Sequence, residues 1–148
     1  MLVYLPAYAD GPLSAKLKPL TDYNFRIFSK HTKEEYHEDN IHVYPVDKMN
    51  WMRMLETTSF AIMGAGFQGV SEMLYLKKKI MAIPMLAQYE QECNAKALKD
   101  MGVHIVTSID DTFGQKALGW LREAEVVNVE YPIHSEDLVL MALGIHKD

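Results

Sequence analysis

The stretch Ser59-Phe60-Ala61-Ile62-Met63-Gly64-Ala65-Gly66-Phe67-Gln68-Gly69-Val70 decides how this chain folds. Ser59 to Met63 is a short, mostly apolar run of strand length. Gly64-Ala65-Gly66-Phe67-Gln68-Gly69 follows without a break and matches G-x-G-x-x-G. From Gly69 to Leu76 the pattern is helical, with Val70, Met73 and Leu74 on one face. A strand that passes through a glycine turn into a helix suits a phosphate. The glycines let a ligand approach the backbone, and the first N–H groups of the helix point at an anion.

The same alternation extends in both directions. Upstream, Leu2-Val3-Tyr4-Leu5 is an apolar run stopped by Pro6, and Tyr23 to Phe28 and Ile41 to Tyr44 are further strands. The polar segment Lys30 to Asn40 reads as a loop, and residues 12–18 and Met49 to Leu55 as helices. Downstream, Lys77-Lys78-Lys79 breaks the helix, and Ile80 to Ile83 is a strand ended by Pro84. Glu90 to Met101 is a helix with Gly102 as its C-cap, and His104 to Val106 is the sixth strand. Ser108-Ile109-Asp110-Asp111 offers capping oxygens for a helix over 110–122, and Ser135 to Leu143 is a last helix before Gly144. This order predicts a Rossmann-like α/β domain with a mostly parallel six-stranded sheet covered on both faces. Ligands of such sheets sit at the carboxyl ends of the strands, near the point where strand order reverses.

Bulk properties narrow the classes. The 148 residues suit one domain with a sizeable core. A net charge of -5 with no long basic run argues against nucleic acid or an anionic membrane as the main partner. The one cysteine, Cys93, cannot form an internal disulfide and fits a reducing compartment such as the cytoplasm. The opening MLVYLPAYADG lacks the basic segment of a signal peptide. A core strand that begins at residue 2 suggests a piece cut at a domain boundary. The six histidines show no metal-binding spacing, so no metal is expected. Cys93 has no Cys-x-x-Cys partner and is assigned to an apolar helix face. The methionines, Trp51 and Trp120 are assigned to packing. Lys77-Lys78-Lys79 is a solvated connection that also offers a peripheral membrane contact.

A dinucleotide site needs more than the glycine turn. Its fingerprint belongs at the first strand of a unit, whereas this one follows the fourth predicted strand. It also needs an acid about 20 residues on, at the end of the next strand, for the ribose. That strand ends Ala82-Ile83-Pro84-Met85, without an acid. The acid stands inside the helix instead, at Glu72, where a carboxylate can accept from two ribose hydroxyls or simply offset the helix dipole.

Residues 64–98, GAGFQGVSEMLYLKKKIMAIPMLAQYEQECNAKAL, resemble the donor-binding block of GT-B glycosyltransferases. The pattern is similar to the family of the peptidoglycan N-acetylglucosaminyltransferase, and more distantly to UDP-glucuronosyltransferases and plant glycosyltransferases. The matching features are Gly66, Ser71-Glu72, Pro84, Glu90-Gln91 and Asn94-Ala95, and Gly66 precedes Glu72 by six. The resemblance implies the C-terminal half of a GT-B enzyme. Gly66, Phe67, Gln68 and Gly69 would meet the donor diphosphate, Glu72 the ribose, Glu90 and Gln91 the transferred sugar, and Val46 the base. The loop Pro6 to Gly11 would face the donor but lacks the glycine-rich pattern of the peptidoglycan enzyme. Gly64 stands where plant-type members carry a phosphate-touching histidine.

The implied substrate is a nucleotide sugar, UDP-linked, with no cofactor. The acceptor site and catalytic base would lie in an N-terminal domain absent from this chain, so the isolated domain would be inactive. Two alternatives stay open: a piece of a sugar-nucleotide epimerase, and a non-catalytic nucleotide-sugar-binding module that works with a separate chain.

Overall fold

A computed structural model describes residues 1–130 and 135–143. Its strands are β1 (Leu2–Tyr4), β2 (Phe25–Ser29), β3 (Tyr36–Glu38), β4 (Ile41–Pro45), β5 (Phe60–Gly64), β6 (Lys79–Ile83) and β7 (His104–Ile105). They form a seven-stranded sheet in the order β3-β4-β2-β1-β5-β6-β7. Neighbouring strands are parallel except β3, which runs antiparallel to β4. The helices are α1 (Asp10–Leu17), α2 (Lys48–Thr57), α3 (Phe67–Tyr75), α4 (Tyr89–Asp100), α5 (Phe113–Glu123) and α6 (Ser135–Ala142).

Side chains alternate along each strand, so continuously apolar strands build two cores. Ala61, Met63, Ile80 and Ala82 face Leu55 of α2, Met73 of α3 and Leu98 of α4. Ile62, Met81 and Ile83 face the other way, toward Leu17 of α1 and Phe113 and Trp120 of α5. The layer of α1 and α5 is tight: a Cβ on Gly114 would come within 2.7 Å of the Lys16 carbonyl oxygen.

The α/β architecture is as the sequence predicts, but the sheet has seven strands rather than six. The added strand, β3, lies inside the segment Lys30 to Asn40 that reads as a loop. Its Tyr-His-Glu sequence is exposed throughout and has no apolar alternation. Its backbone pairing with β4 makes it a strand. The helix predicted over 110–122 begins at Phe113, because Asp110 binds the Thr112 N–H and hydroxyl in a turn of its own.

Cys93 is exposed, against its assignment to an apolar face. Helix α4 buries Ala95 and Leu98, and Cys93 lies about 200° around the helix from Ala95. The methionines divide: Met54, Met63, Met73 and Met81 are core residues, while Met49, Met52 and Met101 are exposed. The Gly144 cap, His134 and His146 lie outside the described residues. Among the described residues, no helix is long and apolar enough to cross a membrane.

Candidate functional site

Strand order reverses between β1 and β5: β2 and β4 lie beyond β1, and β6 and β7 beyond β5. Parallel sheets open a crevice at this point, at the carboxyl ends of the strands. The glycine turn leaves β5 there, beside the end of β1. Its place after the fourth predicted strand, held against the dinucleotide fingerprint, still puts it at the switch point. β5 begins the second half of the sheet as β1 begins the first.

The turn is held from two sides and open at Gly66. Gly66 caps α3 in an extended conformation (φ -72°, ψ 145°), and a Cβ there would meet nothing within 4 Å. The fold therefore sets no steric demand for glycine at 66, and the space is open to a ligand. Gly69 differs, since a Cβ would come 2.7 Å from Met63 Cε, so α3 rests directly on β5. Asn94 Nδ2 donates to the Ala65 carbonyl at 3.1 Å, tying α4 to the turn. The sequence marks Asn94 only as part of a pattern, and the contact gives it a physical task.

A cleft of about 700 Å³ opens over the turn, within the range of small-molecule sites. Gly66, Phe67, Gln68 and Gly69 line it, followed by Glu72 one turn on. Glu90 and Gln91 reach it from the start of α4, and Val46 from the connection between β4 and α2. All the residues singled out for donor contact thus share one cleft. Pro6 brings in the first loop as well.

Local bonds set how these groups stand. Gln68 Nε2 donates to Glu72 Oε1 at 3.2 Å. Gln91 Oε1 accepts from the Met85 N–H at 3.0 Å, and its Nε2 donates to Gln88 Oε1 at 3.0 Å. Gln91 therefore clamps the loop after β6 and retains one N–H for a ligand. Glu90 is exposed and carries no such tie to the loop. Asp47 caps α2 by accepting from the Met49 N–H at 2.8 Å, which sets the wall carrying Trp51.

Trp51 is more than the packing residue the sequence suggests. It is half-buried, lines the cleft and meets Tyr4 edge-on at 5.1 Å and Phe28 at 5.4 Å. Trp120 is core, as assigned. Among the described side chains lining the cleft, the charged ones are Asp47, Glu72 and Glu90. Lys77 to Lys79 stand at the amino end of β6, the far end of the sheet from the cleft. Lys78 Nζ reaches the Glu56 carbonyl at 3.4 Å, and Lys79 Nζ lies 5.0 Å from the Phe60 ring centroid.

A doubly covered parallel sheet with a cleft at its switch point is the Rossmann-like arrangement in which α/β domains receive their ligands. The model of the family described as Glycosyl transferase family 1 matches residues 1–119, and the chain belongs to this family. No curated protein matches. Solved structures share the fold. The solution structure of ALG13 aligns with a TM-score of 0.60 at 12% identity, over 95% of this chain and 92% of that one. The glycotransferase of kitacinnamycin aligns at 0.56 and 13% identity, over 82% of this chain and 38% of that one. The spinosyn forosaminyltransferase SpnP aligns at 0.52 and 14% identity, over 80% and 34%. The chain thus spans little more than a third of the last two transferases, and its fold is a GT-B glycosyltransferase domain.

Proposed function

We propose that this chain is the donor-binding half of a glycosyltransferase. The whole enzyme moves a sugar from a nucleotide diphosphate sugar, UDP-linked, to an acceptor hydroxyl. One observation carries the reading: residues from Val46 to Gln91, far apart in sequence, line one cleft at the switch point of the sheet.

Each group has a role that its chemistry allows. The backbone N–H groups at Gly66 to Gly69 and the start of α3 receive the diphosphate and stabilise it as it leaves. Glu72 accepts from the ribose hydroxyls, Val46 meets the base, and Glu90 and the remaining N–H of Gln91 read the sugar. No bound metal or cofactor is part of this scheme. The acceptor site and catalytic base belong to a second half, and this half alone binds donor weakly without turnover. Large exposed apolar side chains support such a half. Phe67 is 73% exposed in the cleft wall, and Leu86, Tyr89 and Met49 are 77%, 81% and 83% exposed beside lining residues.

A second reading is a nucleotide-sugar-binding module that acts with a separate chain. The match to ALG13 over 92% of that chain favours keeping it, since the fold also exists at about this length.

The test is an amide NMR titration with UDP, UDP-sugars and NAD. Shifts at Gly66 to Glu72 with UDP, extending to Glu90 and Gln91 with one UDP-sugar, are the expected outcome. Glu72→Gln lowers UDP affinity about tenfold, the loss of a charge-assisted hydrogen bond. Shifts with NAD alone would sink the reading.

A further inference from the structure

Helix α4 carries two side-chain amides three residues apart, Gln91 and Asn94, a spacing that puts them on neighbouring turns of one face. Asn94 holds the glycine turn through the Ala65 carbonyl. Gln91 holds a second loop of the cleft, the turn Met85-Leu86-Ala87-Gln88 between β6 and α4, and grips both its ends. Its Oε1 accepts from the Met85 N–H at 3.0 Å, and its Nε2 donates to Gln88 Oε1 at 3.0 Å. The turn is weakly held without that grip. Its own closing bond, from the Gln88 N–H to the Met85 carbonyl, is long at 3.4 Å. Ala87 stands at φ +60° in the third place of the turn, where a positive φ is normally left to glycine. Alanine is strained there, and strained backbone persists only where its surroundings over-determine it. Met85 lines the cleft beside Glu90 and Gln91, and Leu86 at the tip of the turn is exposed. A Cβ on Gly64 would touch Gln91 Oε1 at 3.6 Å, so the grip lies against the start of the glycine turn.

We propose that Gln91 is a positioning residue: it holds the turn Met85–Gln88 in a conformation that the turn does not keep alone, and this turn, through Met85, forms the wall against which the transferred sugar packs. The inference rests on the nucleotide-sugar reading above and gives Gln91 a second, indirect task beside its one free N–H. Its amide oxygen is committed to Met85, so Gln91 offers the sugar a donor only, and the carboxylate of Glu90 beside it offers an acceptor only. Two such contacts leave a sugar ring free to pivot about the line between them, and a fixed third contact at Met85 removes that freedom. The diphosphate is met on a different loop, by the backbone of Gly66 to Gly69. Loosening the turn therefore separates sugar affinity from UDP affinity.

The test separates the grip from direct contact by cutting it at Gln88. Gln88→Ala removes one anchor and leaves Gln91 with both amide N–H groups free for a ligand. Affinities for UDP, UDP-glucose, UDP-galactose and their N-acetylhexosamine counterparts are measured by amide NMR titration of the wild-type chain, Gln88→Ala, Gln91→Ala and the double variant. Gln88→Ala is expected to weaken the preferred UDP-sugar about threefold and Gln91→Ala about tenfold, with UDP kept within about twofold in Gln88→Ala. The double variant should be no worse than Gln91→Ala, since both cut one connection. Ala87→Gly suits the positive φ and should restore most of the loss in Gln88→Ala. In the donor-free chain, Gln91→Ala should speed hydrogen exchange of the Met85 amide about fivefold or more and leave Met81 and Ala82 in β6 unchanged. Sugar affinity that holds or rises in Gln88→Ala while it falls in Gln91→Ala overturns the proposal, because Gln91 then works by contact alone. Equal loss of UDP and UDP-sugar in Gln88→Ala overturns it too, as does an unchanged Met85 amide in Gln91→Ala. Failure of the wild-type chain to bind UDP or any UDP-sugar overturns the nucleotide-sugar reading and the sugar role given to the turn, while faster Met85 exchange in Gln91→Ala would still establish the grip.

Discussion

Gly66 and Gly114 are glycines for different physical reasons. At Gly114 a side chain has no room, because the Lys16 carbonyl oxygen would lie 2.7 Å from its Cβ. Gly114→Ala is expected to cost about 1–3 kcal/mol as α5 is pushed off α1, measured by denaturant unfolding. At Gly66 a side chain has room in the protein, and the residue is the N-cap of α3. Serine is a strong N-cap, so Gly66→Ser should leave stability within a few tenths of a kcal/mol or raise it slightly. The same hydroxymethyl group stands where the diphosphate is proposed to lie, so donor affinity should fall about tenfold or more. Unchanged donor affinity in Gly66→Ser would separate the glycine turn from ligand binding.

At the scale of elements, one carboxylate joins the antiparallel edge to α1 and β2. Asp10 at the start of α1 accepts from Tyr36 Oη of β3 at 2.5 Å and from Ser29 Oγ of β2 at 2.8 Å. The Tyr36 bond is the main cause holding Asp10 below its ordinary pKa, and burial with the same bond pushes Tyr36 from 10.0 up to about 12. Tyr36→Phe should cost about 1 kcal/mol, at the low end for a charged bond because both groups are partly exposed. The sign of its pH dependence follows from the two shifts. Asp10, depressed in the fold, contributes above the unfolded carboxylate value of about 3.9 and loses its share as pH falls below it. Tyr36, raised in the fold, contributes fully below 10.0 and loses its share as pH rises toward about 12. Unfolding of both proteins across pH should show a difference that is flat near neutrality and shrinks at both extremes.

For the whole molecule, a ligand that binds only the folded state stabilises it by mass action. At about 100 times its dissociation constant, a donor adds about 2.7 kcal/mol. For a domain of this size that is a rise in Tm of about 5–10 °C. Because the cleft lies at one end of the sheet, the accompanying slowing of hydrogen exchange should be uneven. It should concentrate at residues 64–72 and 85–94 and leave Lys77 to Lys79, at the amino end of β6, unaffected beyond the global gain. Uniform protection at both ends would mean that the nucleotide binds elsewhere.

Much of this arrangement was legible in the residues because it is local. Apolar runs of strand length, helical periods and a glycine turn are properties of neighbours along the chain, and they marked six of the seven strands and the order of the helices. The phase of α4 even placed Cys93 away from Ala95 and Leu98, although its assignment to an apolar face overlooked this. β3 left no trace, since Tyr36, His37 and Glu38 are exposed and lack apolar alternation, and the partners that hold them, β4, Asp10 and Lys18, are distant or unmarked in the sequence pattern. The proposed roles of Glu72, Glu90, Gln91 and Val46 came from spacing and resemblance. Their meeting in one cleft came from the pairing of β1 with β5, which sets the reversal of strand order. The same pairing brings Asp47, Glu72 and Glu90 to one cleft, a feature that no window of sequence contains. Strand order is chosen by contacts between residues distant in the chain, so the sheet, and not the motif, determines which charges face one another.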